Sequence, residues 1–310
     1  MAETPLPFEK IEYGPAKSSQ FLRLYRPSGS SSGGKPTLWV VIHGGFWKKK
    51  YTVDNALVHT LPPFLVKEGR CVAILEYRRV GEPGGGWPGS NVDVLSALNK
   101  LHEMSSHADC SFSAAQTVVV GHSAGGTLAL WLACSGSEES LRKFFARFTA
   151  APPPVLRLPL ALIVAVAPVC DLREGQEVYR LSDEGDAIAR YLSCYKEYDR
   201  SSSSGSCCGR SAKAVAAVTE DLTEQYRYAS PSENLPLRTD ALLVAGEDDT
   251  VIPVKSVEDF YYRHGIDRRS AQLSYQPLPG DHFQLMDAHA LFARVYARAK
   301  EALGAGADRT

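Results

Sequence analysis

Residues 117–131, TVVVGHSAGGTLALW, constrain the fold more than any other stretch: a short β-branched run breaks into glycine, presents a serine and resumes with helical periodicity. Thr117 to Val120 read as a buried strand, and Leu128, Trp131 and Leu132 share one apolar helix face. Between them, Gly121-His122-Ser123-Ala124-Gly125 fits G-x-S-x-G, the pattern of a nucleophile on a sharp strand-to-helix turn. The spacing has a physical reason. A residue at the tip of so tight a turn is strained in its backbone, and a side chain at either flanking glycine would collide with the neighbouring strand or helix. Ser123 then projects its hydroxyl into a cleft, and the N-terminus of the following helix favours negative charge developing beside it.

The rest of the chain repeats the strand-then-helix theme. Residues 20–26, QFLRLYR, alternate as a half-exposed strand and end in the surface turn PSGSSSGGKP. Thr37–Ile42, TLWVVI, is a continuous apolar run, as expected of a parallel strand covered on both faces, and it ends in His43-Gly44-Gly45-Phe46-Trp47. Residues 54–68 read as a helix broken near Pro62-Pro63, 71–75 as a second buried strand, and 93–104 as a helix with apolar residues at 94, 95, 98 and 101. Beyond the serine turn come a strand at 160–166, a strand at 241–245 ending in GEDDTVIP, and a helix at 254–263. A strand at 271–276 ends in LPGDHFQLMD, and a terminal helix spans 285–302. Alternation of this kind implies an α/β fold with a mainly parallel central sheet and helices on both faces. Residues 172–237 are less regular, with helical patterns at 186–195 and 212–226 around RSSSSGSCCGR. They read as a cap-like insertion over the sheet, with 200–210 mobile.

A chain of 310 residues without a proline- or charge-rich divide suits one domain, 1–310. A charged fraction of 22% and a net charge of -1 argue against a nucleic-acid footprint or attachment to an anionic membrane, which leaves a small molecule as the expected partner. MAETPLPFEK has neither the basic start nor the apolar run of a secretory signal, and no apolar stretch approaches the ~18 residues of a membrane span. The expectation is a cytoplasmic protein, a monomer or homodimer. Seven cysteines, three of them in apolar runs and none at paired metal-ligand spacing, point to reduced thiols, so no metal and no cofactor is expected.

In an open α/β sheet, ligands bind beyond the carboxyl ends of the strands, where every polar or glycine-rich cluster of this chain falls. A serine hydroxyl needs a histidine base, and the base a carboxylate to fix its tautomer. Of eight histidines, His282 follows the last strand and precedes the terminal helix, late enough for the order Ser, acid, His. His122 adjoins Ser123 but is expected to point away from it, and His43 to brace its glycine loop by hydrogen bonding. For the acid, Asp249 is favoured over its neighbour Asp248, which is a backup or a cap on the next helix; Asp171 is a remote third, read as a cap or brace. Donors for an oxyanion are expected from the backbone N–H groups of Ala124, Gly45 and Phe46.

With HGGFW, GHSAGG, GEDDTVIP and GDH in this order, the chain from about residue 20 to 300 resembles the α/β-hydrolase superfamily. HGGFW and DHF also resemble kynurenine formamidases, while EYRRVGEPGGGWPG followed by GHSAGGTLALW resembles bacterial hydrolases described as esterases or prolyl-oligopeptidase-like. The resemblance implies a two-step acyl transfer through Ser123, His282 and Asp249, with the oxyanion held by Gly45, Phe46 and Ala124. It implies small carboxylic esters or amides as substrates, or alternatively N-formylkynurenine. Phe46, Trp47, Trp87 and Phe283 are candidates for the cleft wall as well as for the core. A rival reading, a ligand-binding protein that keeps the fold without the chemistry, fits poorly because all three triad positions are filled.

Overall fold

The computed structural model describes residues 6–28, 34–148, 152–179, 186–197, 222–265 and 271–307. Eight strands build one sheet: β1 (Glu9–Glu12), β2 (Phe21–Tyr25), β3 (Thr37–Ile42), β4 (Cys71–Glu76), β5 (Ser113–His122), β6 (Leu160–Val166), β7 (Ala241–Gly246) and β8 (Leu273–Leu278). Their spatial order is β1-β2-β4-β3-β5-β6-β7-β8. β2 runs antiparallel to both β1 and β4, and every other pairing is parallel.

Side chains alternate between the two faces of a strand, so a strand buried at every position is covered on both sides. β4 and β7 are buried throughout and β3 at all but its first residue. The cover comes from α1 (Leu61–Lys67), α2 (Gly89–Ser105), α3 (Ala124–Ala133), α8 (Val254–His264) and α9 (Phe292–Ala307). α3 is buried at all ten positions, because it lies against β3, β5 and β6 and is covered in turn by later segments. Among the described residues no helix is long and apolar enough to cross a membrane.

Several boundaries differ from the sequence expectation, each for a local reason. Pro62 and Pro63 do not break a helix; they occupy the first turn of α1, where a missing N–H goes unnoticed. The last helix starts at Phe292 rather than 285, since Asp287 turns the chain after a short 3-10 segment at Gln284–Met286, its carbonyl accepting from Ala290 and Phe292. β8 is displaced two residues towards the C-terminus and includes Pro277, which an edge strand tolerates. β1 has one buried residue in four, too weak an alternation to read, and α4 (Ser137–Phe148) is a further amphipathic helix that buries Leu141 and Phe144.

Within 172–237 the described segments form α5 (Leu172–Tyr179), α6 (Ala187–Ser193) and α7 (Thr223–Ala229), which contact one another. The expected mobile tract 200–210 and most of the helical pattern at 212–226 lie outside the described residues.

The sheet and α3 approach so closely that only glycine fits at two points. A Cβ on Gly121 would lie 2.8 Å from the Ala129 Cβ and 2.6 Å from the Gly125 carbonyl carbon, and one on Gly125 would press into the carbonyl oxygens of Ile42 and His43. The expected collision at the flanking glycines is therefore present, and with backbone on the receiving side. Gly125→Ala should lower unfolding free energy by about 3 kcal/mol, the upper end for overpacking, because backbone cannot swing aside. Urea denaturation measures it, and a loss under ~0.5 kcal/mol, the size of an ordinary surface substitution, would contradict this packing.

Candidate active site

β5 ends at His122, and Ser123 follows with φ 54° and ψ -122°, a backbone region L-residues seldom occupy. The turn is held from both sides. The Ser123 N–H donates to the Val166 carbonyl at 2.8 Å, and its own carbonyl accepts from the Thr127 N–H at 2.9 Å. The Thr127 hydroxyl in turn accepts from the Val169 N–H at 3.0 Å, which ties α3 to the loop after β6. Ala124 is the first residue of α3, so its N–H belongs to the first turn, where no intrahelical acceptor exists.

The loop after β8 delivers His282 and the turn after β7 delivers Asp249. His282 Nδ1 lies 2.7 Å from Asp249 Oδ2, with both side chains almost completely buried. The other oxygen of Asp249 accepts the N–H groups of Val251 and Ile252 at 2.8 and 2.7 Å, which fixes the carboxylate before it meets the imidazole. Asp248 faces elsewhere: its Oδ2 accepts the Gly280 N–H at 3.2 Å while its own N–H donates to the Gly280 carbonyl at 3.1 Å. It clasps the two loops together and does not cap α8. Asp171 caps α5 through the N–H groups of Arg173 and Glu174 at 2.8 and 3.0 Å.

The third component is the loop after β3. Gly44 lies directly over the serine, since a Cβ there would fall 2.9 Å from the Ser123 Cβ. Gly45 has φ 111°, and Phe46 and Trp47 both have φ 54°. Consecutive left-handed residues with side chains cost about 1–3 kcal/mol each, so the surroundings must impose them. A buried polar network flanks the loop. His43 Nδ1 faces the Gly44 carbonyl at 2.8 Å, and Nε2 faces Glu76 Oε1 at 3.1 Å. The same carboxylate binds Arg79 at 2.5 Å and accepts the Val53 N–H at 3.0 Å. Arg79 continues to the Tyr51 carbonyl, and the Tyr51 ring fills the space that a side chain on Gly45 would need. His43 thus braces the loop, as read from the sequence. Glu76, Arg79 and Tyr51 were not singled out, although EYRRVGE did mark the stretch.

The aromatic residues divide. Trp87 is fully buried among Trp131 and Phe144, and Trp47 is buried against Tyr191 with ring centroids 4.6 Å apart. Both belong to the core. Phe46 is half-buried, whereas Phe283 is 53% exposed and stands edge-on to the His282 ring at 5.2 Å. Among the described residues no three His, Cys, Asp or Glu side chains gather as a metal ion would require.

A serine on a strained strand-to-helix turn, a buried His–Asp pair and this strand order define an α/β hydrolase. The family model BD-FAE matches residues 22–263, and the chain belongs to that α/β-hydrolase esterase family. A comparison with curated proteins gave no match. Among solved structures, inhibited esterase B from Lactobacillus rhamnosis is similar at 18% identity and TM-score 0.69, over 100% of this chain and 90% of that one. The butyrate-bound esterase Est2 of Thermogutta terrifontis is similar at 15% identity and TM-score 0.63, over 96% and 93%. A bifunctional GH43-CE protein of Bacteroides eggerthii aligns over 97% of this chain but 36% of its own length, at 16% identity and TM-score 0.65.

His122 gives this site a pH signature. Burial first, and the neighbouring His282 second, push its imidazole from 6.5 down to about 3. Between these values the unfolded chain binds a proton that the folded one refuses, so the stability tied to this group is present above pH ~6.5 and drains as pH falls towards 3. His122→Gln cannot titrate and should flatten the melting-temperature profile over that window relative to wild type. Parallel profiles would show that His122 is as easily protonated folded as unfolded.

Proposed function

We propose that this protein is a serine hydrolase of small carboxylic esters that works by acyl transfer, with Ser123 as nucleophile, His282 as base and Asp249 as the carboxylate that orients the base. The observation that carries the assignment is the buried 2.7 Å pairing of His282 Nδ1 with Asp249 Oδ2 at the end of the sheet where the Ser123 turn stands. A carboxylate only accepts, so Nδ1 keeps its proton and Nε2 is left to take one from the serine hydroxyl. Ser123 then attacks the substrate carbonyl, the alkoxide leaves with a proton returned by His282, and water repeats the sequence to free the acid. Backbone N–H groups of Ala124, Gly45 and Phe46 are the proposed oxyanion donors, supported by the seating of the glycine loop on Ser123.

The insertion at 172–237 is proposed as the roof of the cleft. Its support is α6, whose Tyr191 stacks on Trp47 and accepts the Trp87 N–H at 2.9 Å, next to the loop that leads from Gly45. A roofed site of ordinary small-ligand size favours short acyl groups; butyrate in the Thermogutta esterase and the C4-C4 tributyrin phosphonate on Lactobacillus esterase B are in keeping with that. The exposed edge of Phe283 beside His282 favours a flat aromatic group on the leaving side, which both an aryl ester and N-formylkynurenine present. The formamidase alternative demands protonation of a poorer nitrogen leaving group by His282 and is decided by assaying N-formylkynurenine directly. A cytoplasmic location belongs to the same reading. It is supported by the free thiols of Cys71, Cys110, Cys134, Cys170 and Cys194, as the net charge of -1 supports a small-molecule rather than nucleic-acid partner.

Ser123→Ala should abolish labelling by a fluorophosphonate probe and cut p-nitrophenyl acetate turnover by roughly 10⁵ or more with the fold intact. Activity above about one per cent of wild type would remove Ser123 from the role. Asp249→Asn should lower kcat by about 10³–10⁴ through the wrong imidazole tautomer, whereas Asp248→Asn loosens a clasp and should cost under tenfold. The opposite ranking would transfer the role to Asp248. With p-nitrophenyl esters, kcat/KM should peak at two to four acyl carbons and fall steeply beyond about eight; equal rates on acetyl and palmitoyl esters would rule out a roof.

A further inference from the structure

His122, between Gly121 and Ser123, has no part in the chemistry described above, yet it lies where three loops meet. Its side chain is buried at the last residue of β5, and Nε2 lies 2.9 Å from the carbonyl oxygen of His282 in the loop after β8. The two imidazole rings are 4.6 Å apart, tilted by 45°. On its other side is the loop after β3: a Cβ on Gly44 would stand 2.7 Å from the His122 carbonyl oxygen and 3.2 Å from Nδ1. A carbonyl oxygen only accepts, so Nε2 must carry the proton and the ring is a fixed donor. Burial holds it neutral down to about pH 3, with His282 adding to the effect. The ionisable groups facing it are His282 and, behind that ring, Asp249. Donation to the His282 carbonyl therefore comes from a neutral ring above about pH 3.

Resting on the assignment of His282 as the base, we infer that His122 is a positioning residue: its Nε2–H fixes the backbone of His282 above the turn that carries Ser123. Asp249 sets the orientation of the base imidazole about one ring nitrogen, but nothing in that pairing determines how far the loop after β8 stands from the loop after β5. The His122 bond spans that gap directly, from the residue adjoining the nucleophile to the residue that is the base. Its loss lets the base retreat along the line of proton transfer, and a misplacement of about 1 Å there is enough for roughly 100-fold in rate. Substrate affinity is set elsewhere and should hardly change.

Glutamine places an amide N–H close to where Nε2 of histidine stands, leucine fills similar space without a donor, and asparagine carries the amide on a shorter arm. His122→Leu should lower kcat for p-nitrophenyl acetate by about 10- to 100-fold with KM within threefold, and should slow fluorophosphonate labelling in proportion. His122→Gln should recover kcat to within about threefold of wild type. If His122→Leu does not fold, the comparison of His122→Gln with His122→Asn carries the test, and Asn should show the loss that Gln does not. The inference is overturned if Leu or Asn matches Gln in kcat, if the loss falls in KM, or if Gln loses as much kcat as Leu at equal melting temperature. Ser123→Ala is assayed alongside. Surviving turnover there would overturn the catalytic assignment itself, while an inactive Ser123→Ala with a fully active His122→Leu overturns this inference alone.

Discussion

Everything near the site depends on how closely α3 is pressed against the ends of β3 and β5. The helix cannot stand off by even a methyl group, because Gly121 meets Gly125 and Ala129, and Gly125 meets the carbonyls of Ile42 and His43. That approach accompanies the positive φ of Ser123, directly before the first N–H groups of α3, which have no intrahelical acceptor. Strain of about 1–3 kcal/mol at one residue survives only where the surroundings determine it several times over. Here they include the Val166 carbonyl, the Thr127 N–H and the packed length of α3. A looser helix would relax the serine and remove the feature on which the proposed chemistry rests.

The loop after β3 meets the same requirement by electrostatics. Gly44, Gly45, Phe46 and Trp47 have little regular hydrogen bonding of the sheet kind, and two of them are left-handed with full side chains. What holds them is a carboxylate, Glu76, buried with a guanidinium and an imidazole whose far nitrogen faces the Gly44 carbonyl. The Tyr77 hydroxyl donates to the His43 carbonyl at 2.9 Å and its ring stacks on the imidazole, so the base of the loop is gripped from two directions. Replacing a buried ion pair by apolar residues is often harmless to stability, so its presence beneath a loop of this shape points to geometry as what it provides.

The fold was legible because its signals are local. Apolar runs of strand length, glycines at the serine turn and polar clusters after each strand are all readable without knowledge of what packs where, and they placed β2 to β7, α3 and the pairing of Asp249 with His282. What stayed open shares one cause. The sequence leaves Trp47 and Trp87 as candidates for cleft wall and core alike, and the choice is decided by Tyr191, Trp131 and Phe144, more than 40 residues away in the chain. Glu76 and Arg79 escaped for the same reason, since a charged residue at a strand end reads as solvated until its partners are known. His122 was expected to point away from Ser123, and what the sequence could not supply was the destination, a carbonyl 160 residues further on.

Tyr191 carries one more consequence. Its ring stacks on Trp47, its carbonyl accepts the Trp87 N–H, and its hydroxyl donates to Asn91 Oδ1 at 2.5 Å, so α6 is joined to the loop after β3 and to the start of α2 together. Trp47 lies two residues after Gly45, has a left-handed backbone, and carries the ring on which Tyr191 of α6 stacks. α6 and the loop after β3 are thus one packing unit. A change in α6 that shifted Tyr191 would disturb Trp47 and Trp87 together, so on the proposed reading of the site a wider cleft would have to come from residues of the insertion that do not bear on Trp47.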